Sequence, residues 1–264
     1  MTITRGYAGG PFGQLHYETA GEGMPLILLH QMVQSSVQFR PALPILATKG
    51  VQAIAVDLPG YGMSTVPGHA PTMDEYASIV PAVLDHFGWN EAAIGGHHTG
   101  ASAAGAAAQG YPDAVSKLVV HGVPYFTPEE MKAHAAGSHG AKPIAEDGSH
   151  FKDIWNLFHD LGKGNVSLDV SHQSVLTYFL AGETEWHGHN AVFSHDIWAA
   201  FDAVTAPTLL ITNTGDMLNP QDRALSEARP DFEFKEIEGG TFQYVYDDAE
   251  PWANIVAEFV TRES

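Results

Sequence analysis

The stretch Gly96-His97-His98-Thr99-Gly100 decides the fold and governs how the rest of the chain is interpreted. It fits a strand-turn-helix frame, Gly-x-nucleophile-x-Gly, in which the outer glycines permit a sharp turn and the middle side chain rises above a sheet. Serine is the usual middle residue, or aspartate where carbon is attacked, but here the middle residue is His98. An imidazole has no hydroxyl to acylate. The sequence therefore predicts a frame built for nucleophilic catalysis whose working residue has been changed.

Around this frame, short apolar runs alternate with helical stretches, which is typical of a mostly parallel sheet covered by helices on both faces. An α/β fold is therefore expected. The small-residue run 101–109 predicts a helix that packs tightly behind the turn. Thr72 and Glu75 form a capping box ahead of apolar helical spacing over 76–87, with a kink expected at Pro81. The predicted buried strands are 25–29, 52–56, 92–95, 118–121 and 208–212.

The alternation stops over residues 124–204, which carry helical fragments, many histidines and aromatics, and no convincing strand pattern. This is too long for a loop in a compact domain, so the segment is predicted to be an inserted helical cap. The predicted organisation is a core in two parts, 1–123 and 205–264, with the cap at 124–204 between them. Most cap aromatics are expected to hold the cap to the core. Two or three, Trp155 among them, are expected to line an apolar pocket above the turn.

Composition narrows the classes of partner. The chain of 264 residues has a net charge of −19, from 31 acidic against 12 basic residues, which argues against nucleic acid or an anionic membrane surface. A small-molecule substrate is expected, and a homodimer is left open. There are no cysteines, which excludes disulfides and thiolate chemistry. The N-terminus lacks a signal-peptide pattern and no run approaches 18 apolar residues, so a cytoplasmic protein is expected.

Four further landmarks occur in order with the turn and carry a resemblance over nearly the whole chain. The sequence resembles the α/β-hydrolase superfamily, in the branch that contains haloalkane dehalogenases and epoxide hydrolases. The resemblance implies an α/β-hydrolase fold with a helical cap and a triad of nucleophile, histidine and acid. The landmarks are Leu28-Leu29-His30-Gln31, the run 57–64, Leu210-Ile211-Thr212-Asn213-Thr214-Gly215-Asp216, and Gly239-Gly240-Thr241-Phe242.

The departures from that family pattern are more informative than the matches. Asp216 stands where the family has its acid, but Thr241 stands where the family has its histidine, so two of the three triad positions are altered. The imidazole of His98 is longer than a serine, and Thr241 is smaller than a histidine. We therefore expect His98 to hydrogen-bond Asp216 directly, with help from the Thr241 hydroxyl. Such a pair would be a general base without a covalent nucleophile.

The remaining site predictions follow from the same frame. The backbone N–H groups of Met32 and Thr99 are expected to form an oxyanion hole. Residues expected to contact substrate are Gln31, His97, Thr241 and Trp155, although a purely structural role for Gln31 is about as common. Ser102, the serine nearest the turn, lacks a base and is not nominated.

No metal or cofactor is expected. His187, His189 and His195 could be arranged as ligands, but no cysteine partner or Glu-flanked helical pair supports a metal site.

Three functions stay open at this level. One is an enzyme that hydrolyses an ester or lactone by activating water. Another is a lyase or isomerase that uses the same base and oxyanion hole on a carbon acid. The third is a ligand-binding protein that has lost catalysis. The pairing of a carboxylate with a titratable imidazole favours an enzyme, because a pure binder does not need that pair.

Overall fold

Eight strands form one sheet in the computed structural model, which describes residues 2–137, 140 and 143–263. The strands are β1 (Thr4–Gly10), β2 (Gly13–Ala20), β3 (Met24–Leu29), β4 (Val51–Val56), β5 (Ala92–His97), β6 (Val115–His121), β7 (Thr208–Asn213) and β8 (Glu233–Ile237). Their order across the sheet is β1-β2-β4-β3-β5-β6-β7-β8. The pairs β1–β2 and β2–β4 are antiparallel, and all others are parallel. The predicted α/β class with a mostly parallel sheet is confirmed.

The helices of the described residues fall into a core set and a consecutive group between β6 and β7. The consecutive group is α5 (Pro128–Ala135), α6 (Ser149–Leu161), α7 (Leu168–Ala181), α8 (His187–Phe193) and α9 (Ile197–Asp202). We call it the cap. The core set is α1 (Leu43–Thr48), α2 (Met73–Ala77), α3 (Ile79–Phe87), α4 (Thr99–Gly110), α10 (Asn219–Ala228), α11 (Tyr244–Asp247) and α12 (Ala249–Thr261). Within the described part of the chain, no helix combines the length and apolarity needed to span a bilayer.

The sheet is covered on both faces because side chains alternate along each strand. On β3, Leu26 and Leu28 pack with α1 and α12 on one face, where Trp252 is fully buried. Ile27 and Leu29 point to the other face, among residues of α2, α3 and α4. Each such buried aliphatic side chain contributes roughly 1.5 to 3 kcal/mol. This double layer holds the carboxyl ends of the parallel strands, where the site lies, in a fixed arrangement.

The five predicted strands are present, but three strands were missed. The hairpin β1–β2 is rich in glycine and polar residues, and β8 is a half-exposed edge strand with the sequence EFKEI, so none of them shows a buried apolar run. The helix predicted over 76–87 is two helices, which meet at Ser78 rather than bending at Pro81. The break precedes the proline because the proline ring would clash with the carbonyl four residues earlier. The capping box of Thr72 and Glu75 is confirmed.

Candidate active site

The turn between β5 and α4 has the geometry that its glycines predict. His98 adopts φ 50° and ψ −111°, a conformation uncommon for a residue with a side chain. A Cβ on Gly96 would lie 2.1 Å from the carbonyl oxygen of Gly100, and a Cβ on Gly100 would lie 2.0 Å from that of Leu29. Both positions therefore require glycine. The tight approach of α4 to the strands fixes where the His98 side chain leaves the backbone.

His98 is hydrogen-bonded directly to Asp216. The distance from His98 Nε2 to Asp216 Oδ2 is 2.8 Å, which is the contact that the sequence predicted. Asp216 follows β7, and its Oδ1 accepts the Leu218 N–H at 2.8 Å. Its side chain is fully buried, whereas 14% of the His98 side chain is exposed. Burial alone would raise the pKa of Asp216, but the charge and hydrogen bond of His98, with the Leu218 N–H, outweigh it and lower that pKa.

Gly122, just after β6, makes room for the His98 ring. A Cβ at Gly122 would lie 2.2 Å from His98 Cδ2 and 2.5 Å from Nε2. The turn that carries Gly122 is held by the fully buried carboxylate of Asp222, which accepts the N–H of Gly122 at 3.2 Å and of Val123 at 2.7 Å. Burial raises the pKa of Asp222 well above its ordinary value despite these hydrogen bonds. The dyad thus depends on a glycine at position 122, which the sequence argument did not single out.

A cavity of about 300 Å³ opens next to the dyad between the core and the cap. Its wall includes a stack of rings, with the His134 and Phe193 centroids 4.7 Å apart and the planes 10° from parallel. The described residues that line it include no lysine, arginine, aspartate or glutamate, so it suits a neutral, largely apolar molecule. The lining residues are His98, Thr99, Pro124, Phe126, His134, His189, Val192, Phe193, Met217 and Leu218.

Two residues predicted to contact substrate, Gln31 and His97, lie outside the cavity lining. Both side chains are buried beneath the turn, away from the cavity lining. Gln31 donates its amide N–H to Gln243 Oε1 at 2.8 Å, and the ring of His97 contacts Gln38 Nε2 through Nδ1 at 2.7 Å. The reason is that each amide and imidazole finds a polar partner inside the core, which a position facing the apolar cavity would not supply.

Two further predicted contacts, Thr241 and Trp155, are also absent from the lining. Thr241 is buried, and its Oγ1 accepts the N–H of Gln243 at 3.1 Å. The place of Thr241 at the altered triad position did not reveal this local turn partner. Trp155 is half-buried on α6 and does not line the cavity. The aromatic wall comes instead from Phe126 and from residues of α5 and α8.

The two residues predicted to form the oxyanion hole, Thr99 and Met32, lie in different surroundings. Thr99 lines the cavity as the first residue of α4, where a backbone N–H has no carbonyl four residues earlier within the helix. Met32 is half-buried, and its Sδ accepts the N–H of His189 at 2.8 Å, which links the turn after β3 to the cap. The role of both N–H groups in stabilising an oxyanion stays a prediction.

Several cavity residues were missed, and a signal for two of them was available. Met217 and Leu218 directly follow Asp216 at the carboxyl end of β7, which is where ligands bind in open parallel sheets. Phe126 and His134 follow the end of β6 less directly, on a segment whose path over the sheet has no pattern in the sequence. The cap histidines weighed as metal ligands do not form a cluster of possible ligand atoms. Within the described ranges, the residues that bring such atoms together are His97, His121 and Asp216.

Comparisons with known proteins identify the family of this chain. A family model described as alpha/beta hydrolase fold matches residues 24–258. The chain is 36% identical over 107 residues to a soluble epoxide hydrolase of Corynebacterium sp. (strain C12), a match that covers 40% of this chain and 37% of that protein. It is 28% identical over 134 residues to 2-(acetamidomethylene)succinate hydrolase of Mesorhizobium japonicum, covering 50% and 48% of the two chains. The chain thus spans less than half the length of these curated relatives.

Solved structures match over almost the full length. The crystal structure of E-2-(acetamidomethylene)succinate hydrolase superposes with a TM-score of 0.81 at 20% identity, covering 99% of this chain and 100% of that one. The enol-lactonase from Burkholderia xenovorans LB400 superposes with a TM-score of 0.78 at 18% identity, covering 97% and 100%. At these identities the likeness establishes the fold alone.

Proposed function

Because the chain belongs to the alpha/beta hydrolase fold family, we propose that it is a hydrolase in which His98, held by Asp216, acts as a general base on water. The proposed substrate is a small, neutral, largely apolar ester or lactone. The observation that carries the proposal is the 2.8 Å hydrogen bond between His98 Nε2 and Asp216 Oδ2, made by a side chain that lines the cavity. Named relatives that are hydrolases support the reaction class.

The hydrogen bond assigns roles to the two ring nitrogens. An ionised carboxylate only accepts, so Nε2 carries the proton that it donates to Asp216, and Nδ1 keeps the lone pair. Nδ1 takes a proton from water as the water oxygen bonds to the acyl carbon. The carbonyl electrons move to oxygen, where the N–H groups of Thr99 and Met32 receive the charge. When the tetrahedral intermediate collapses, the C–O bond breaks and the leaving oxygen takes the proton back from Nδ1, giving an acid and an alcohol.

Asp216 has two functions in this scheme. It holds the ring in one tautomer and orientation, and its negative charge stabilises the imidazolium that forms when Nδ1 is protonated. No covalent bond to the protein is made or broken. A general base of this kind contributes about 10²- to 10⁴-fold to a rate.

The test is a panel of activated esters, lactones and β-dicarbonyls assayed with the wild type and His98→Ala. Hydrolysis of an ester or lactone that the substitution removes would support the proposal. Turnover of β-dicarbonyls alone would favour the lyase or isomerase function. Saturable binding of panel members without turnover in the wild type would favour a binding protein.

Ser102→Ala is the matched control for this panel. Ser102 is fully buried on α4, one helical turn beyond His98. We expect its substitution to leave hydrolysis within a few-fold of the wild type, since the proposal gives this hydroxyl no chemical role. Loss of activity in Ser102→Ala with retention in His98→Ala would contradict the proposal, because a serine would then be the nucleophile.

A further inference from the structure

Two buried imidazoles lie beneath the dyad, on the side away from the cavity. His97 and His121 are fully buried, and their ring centroids are 4.9 Å apart. Each ring has one nitrogen in a hydrogen bond with an amide side chain. The other nitrogens, His97 Nε2 and His121 Nδ1, have no hydrogen-bond partner among the described residues. Buried polar atoms of this kind call for a partner.

The tautomer of His97 is fixed by its neighbour. The backbone N–H of Gln31 donates to Gln38 Oε1 at 2.9 Å, so the oxygen of that amide points toward Gln31. The amide nitrogen of Gln38 then faces His97 Nδ1, at 2.7 Å. An amide nitrogen only donates, so Nδ1 accepts and the ring proton is on Nε2. The free atom of His97 is therefore a donor.

The tautomer of His121 is fixed in the same way but leaves the opposite group free. Asn213 Nδ2 donates to the carbonyl oxygens of Gly239 at 2.9 Å and Thr241 at 3.3 Å, so Oδ1 of that amide faces His121 Nε2 at 2.9 Å. The amide oxygen only accepts, so Nε2 carries the proton and Nδ1 has a lone pair. The free atom of His121 is therefore an acceptor.

Asp216 lies close to both of these imidazoles. One ligand atom from each of His97, His121 and Asp216 lies within 4.8 Å of the other two. Some point in space is therefore within about 2.8 Å of all three atoms, which is hydrogen-bond distance. The three groups offer one donor and two acceptors. We propose that the imidazole atoms at this point are the unpartnered His97 Nε2–H and His121 Nδ1, and that one internal water molecule occupies it, accepting from His97 Nε2–H and donating to His121 Nδ1 and to Asp216.

The same tautomers argue against a metal ion at this grouping. A transition metal needs a lone pair from every ligand, and His97 presents N–H instead. Reversing that tautomer would require Gln38 to turn over, and its nitrogen would then face the N–H of Gln31. Two donors would meet in a fully buried site, at a cost that a water molecule does not impose. Three hydrogen bonds are the usual number for a buried water.

This water would give Asp216 a third donor beside His98 and the Leu218 N–H. His97 and His121 are then positioning residues that act on the dyad through water, while staying neutral themselves. Burial and the neighbouring imidazoles of His98 and His121 hold the pKa of His97 well below its ordinary value, and burial lowers the pKa of His121 to about 4. This effect on the dyad rests on the proposed function, but the water site itself does not.

The site is tested without any substrate. A high-resolution crystal structure should show one density peak at hydrogen-bond distance from all three atoms. Nitrogen-15 NMR of the imidazoles should report the neutral Nε2–H tautomer for both His97 and His121 from pH 8 down to pH 6. A direct hydrogen bond between the two rings, an Nδ1–H tautomer of His97, or a peak at metal–ligand distance would overturn the assignment.

A substitution that reverses the tautomer sharpens the test. In Gln38→Glu, one carboxylate oxygen can still accept from Gln31, and the other would accept from His97 Nδ1–H, which frees the Nε2 lone pair. We expect this variant to bind Zn²⁺ at least about tenfold more tightly than the wild type in calorimetric titration. Gln34→Glu, which introduces the same charge at another buried glutamine, should bind Zn²⁺ like the wild type. Equal affinity of Gln38→Glu and the wild type for Zn²⁺ would overturn the tautomer assignment. Failure of the catalytic panel would not affect either result.

Discussion

Two regions meet at the carboxyl ends of β5, β6 and β7, and they give the same side chain opposite properties. On the cavity side, His98 contacts the carboxylate of Asp216 and is partly exposed. On the buried side, the rings of His97 and His121 are hydrogen-bonded to amide side chains and are fully buried. Sequence neighbours can therefore differ in chemistry by partner and burial alone.

The difference explains why one imidazole suits base catalysis. A carboxylate stabilises a protonated ring, so His98 can accept a proton during a reaction. An amide whose orientation is fixed by the backbone selects one neutral tautomer and offers no charge. In the proposed scheme, His98 therefore carries the acid-base chemistry, and His97 and His121 only support it.

The largest expected effect comes from making the cavity side resemble the buried side. Asp216→Asn replaces the carboxylate by an amide, so the imidazolium loses its counter-charge. We expect kcat/KM on the best panel substrate to fall by about 10² to 10⁴, with the fold retained by circular dichroism. A loss smaller than about threefold would show that the carboxylate is not part of the base.

The next effect is a loss of folding stability at acid pH, which we expect because His121 is buried. In the unfolded chain His121 takes up a proton near pH 6.5, whereas burial lowers its pKa to about 4 in the folded protein. Its folded pKa is depressed, so as pH falls below 6.5 the unfolded state binds the proton first and folding stability is lost. From pH 7 to pH 5 this should remove about 2 kcal/mol from the free energy of unfolding.

Denaturant unfolding of the wild type and His121→Gln at both pH values tests this stability loss. The variant should be less stable at pH 7 but should lose less on acidification, by about 2 kcal/mol. Parallel losses in the two proteins would mean that His121 titrates normally in the fold. Burial also lowers the pKa of His30 and His97, so part of the acid sensitivity should persist in the variant.

A smaller effect is expected from disturbing only the placement of the His98 ring. In Gly122→Ala the new Cβ would fall 2.2 Å from His98 Cδ2, so the ring must move away from its contact with Asp216. We expect about a tenfold loss in kcat/KM, since misplacement of a catalytic group lowers the rate. Gly148→Ala is the matched control, because Gly148 also has a positive φ, 75°, but a Cβ there meets nothing within 4 Å. Equal activity in the two variants would show that a glycine at position 122 is not needed to place the His98 ring.

The smallest effect tests whether the two altered triad positions compensate for each other. His98→Ser combined with Thr241→His restores the family arrangement around Asp216. The double variant should hydrolyse activated esters about fivefold or more faster than the two single variants predict when their effects are added. His98→Ser alone leaves a serine without a base, and Thr241→His alone crowds the buried position. Strict additivity would show that the two positions changed independently.

The sequence predicted the features that depend on a local pattern, but it did not predict the direction in which side chains at the strand ends point. Glycine placement predicted the turn between β5 and α4, a capping pattern predicted the capping box at Thr72, and buried apolar runs predicted the five strands. The hydrogen bond between His98 and Asp216 was predictable because the family resemblance fixes both positions in the fold. The sequence did not show that Gln31 and His97 face the core, because a position at or just past the end of a strand does not tell which way its side chain points.

The cavity wall was the least predictable part. The cap has no alternating strand pattern that would show which of its residues face the sheet. No sequence pattern therefore indicated that Phe126 and His134, rather than Trp155, line the cavity. Gly122 was missed for a related reason, since its requirement arises only from the approach of the His98 ring across the sheet. Such contacts depend on tertiary structure and have no local signal.

The central claim is that His98 acts as a base and forms no bond to substrate. Rapid-quench kinetics on the best activated ester, with intact-mass detection, tests it directly. We expect no burst of alcohol release at a stoichiometry near one per enzyme, and no increase in protein mass at any quench time. A burst accompanied by an acyl adduct that maps to His98 would contradict it, because the imidazole would then be a nucleophile.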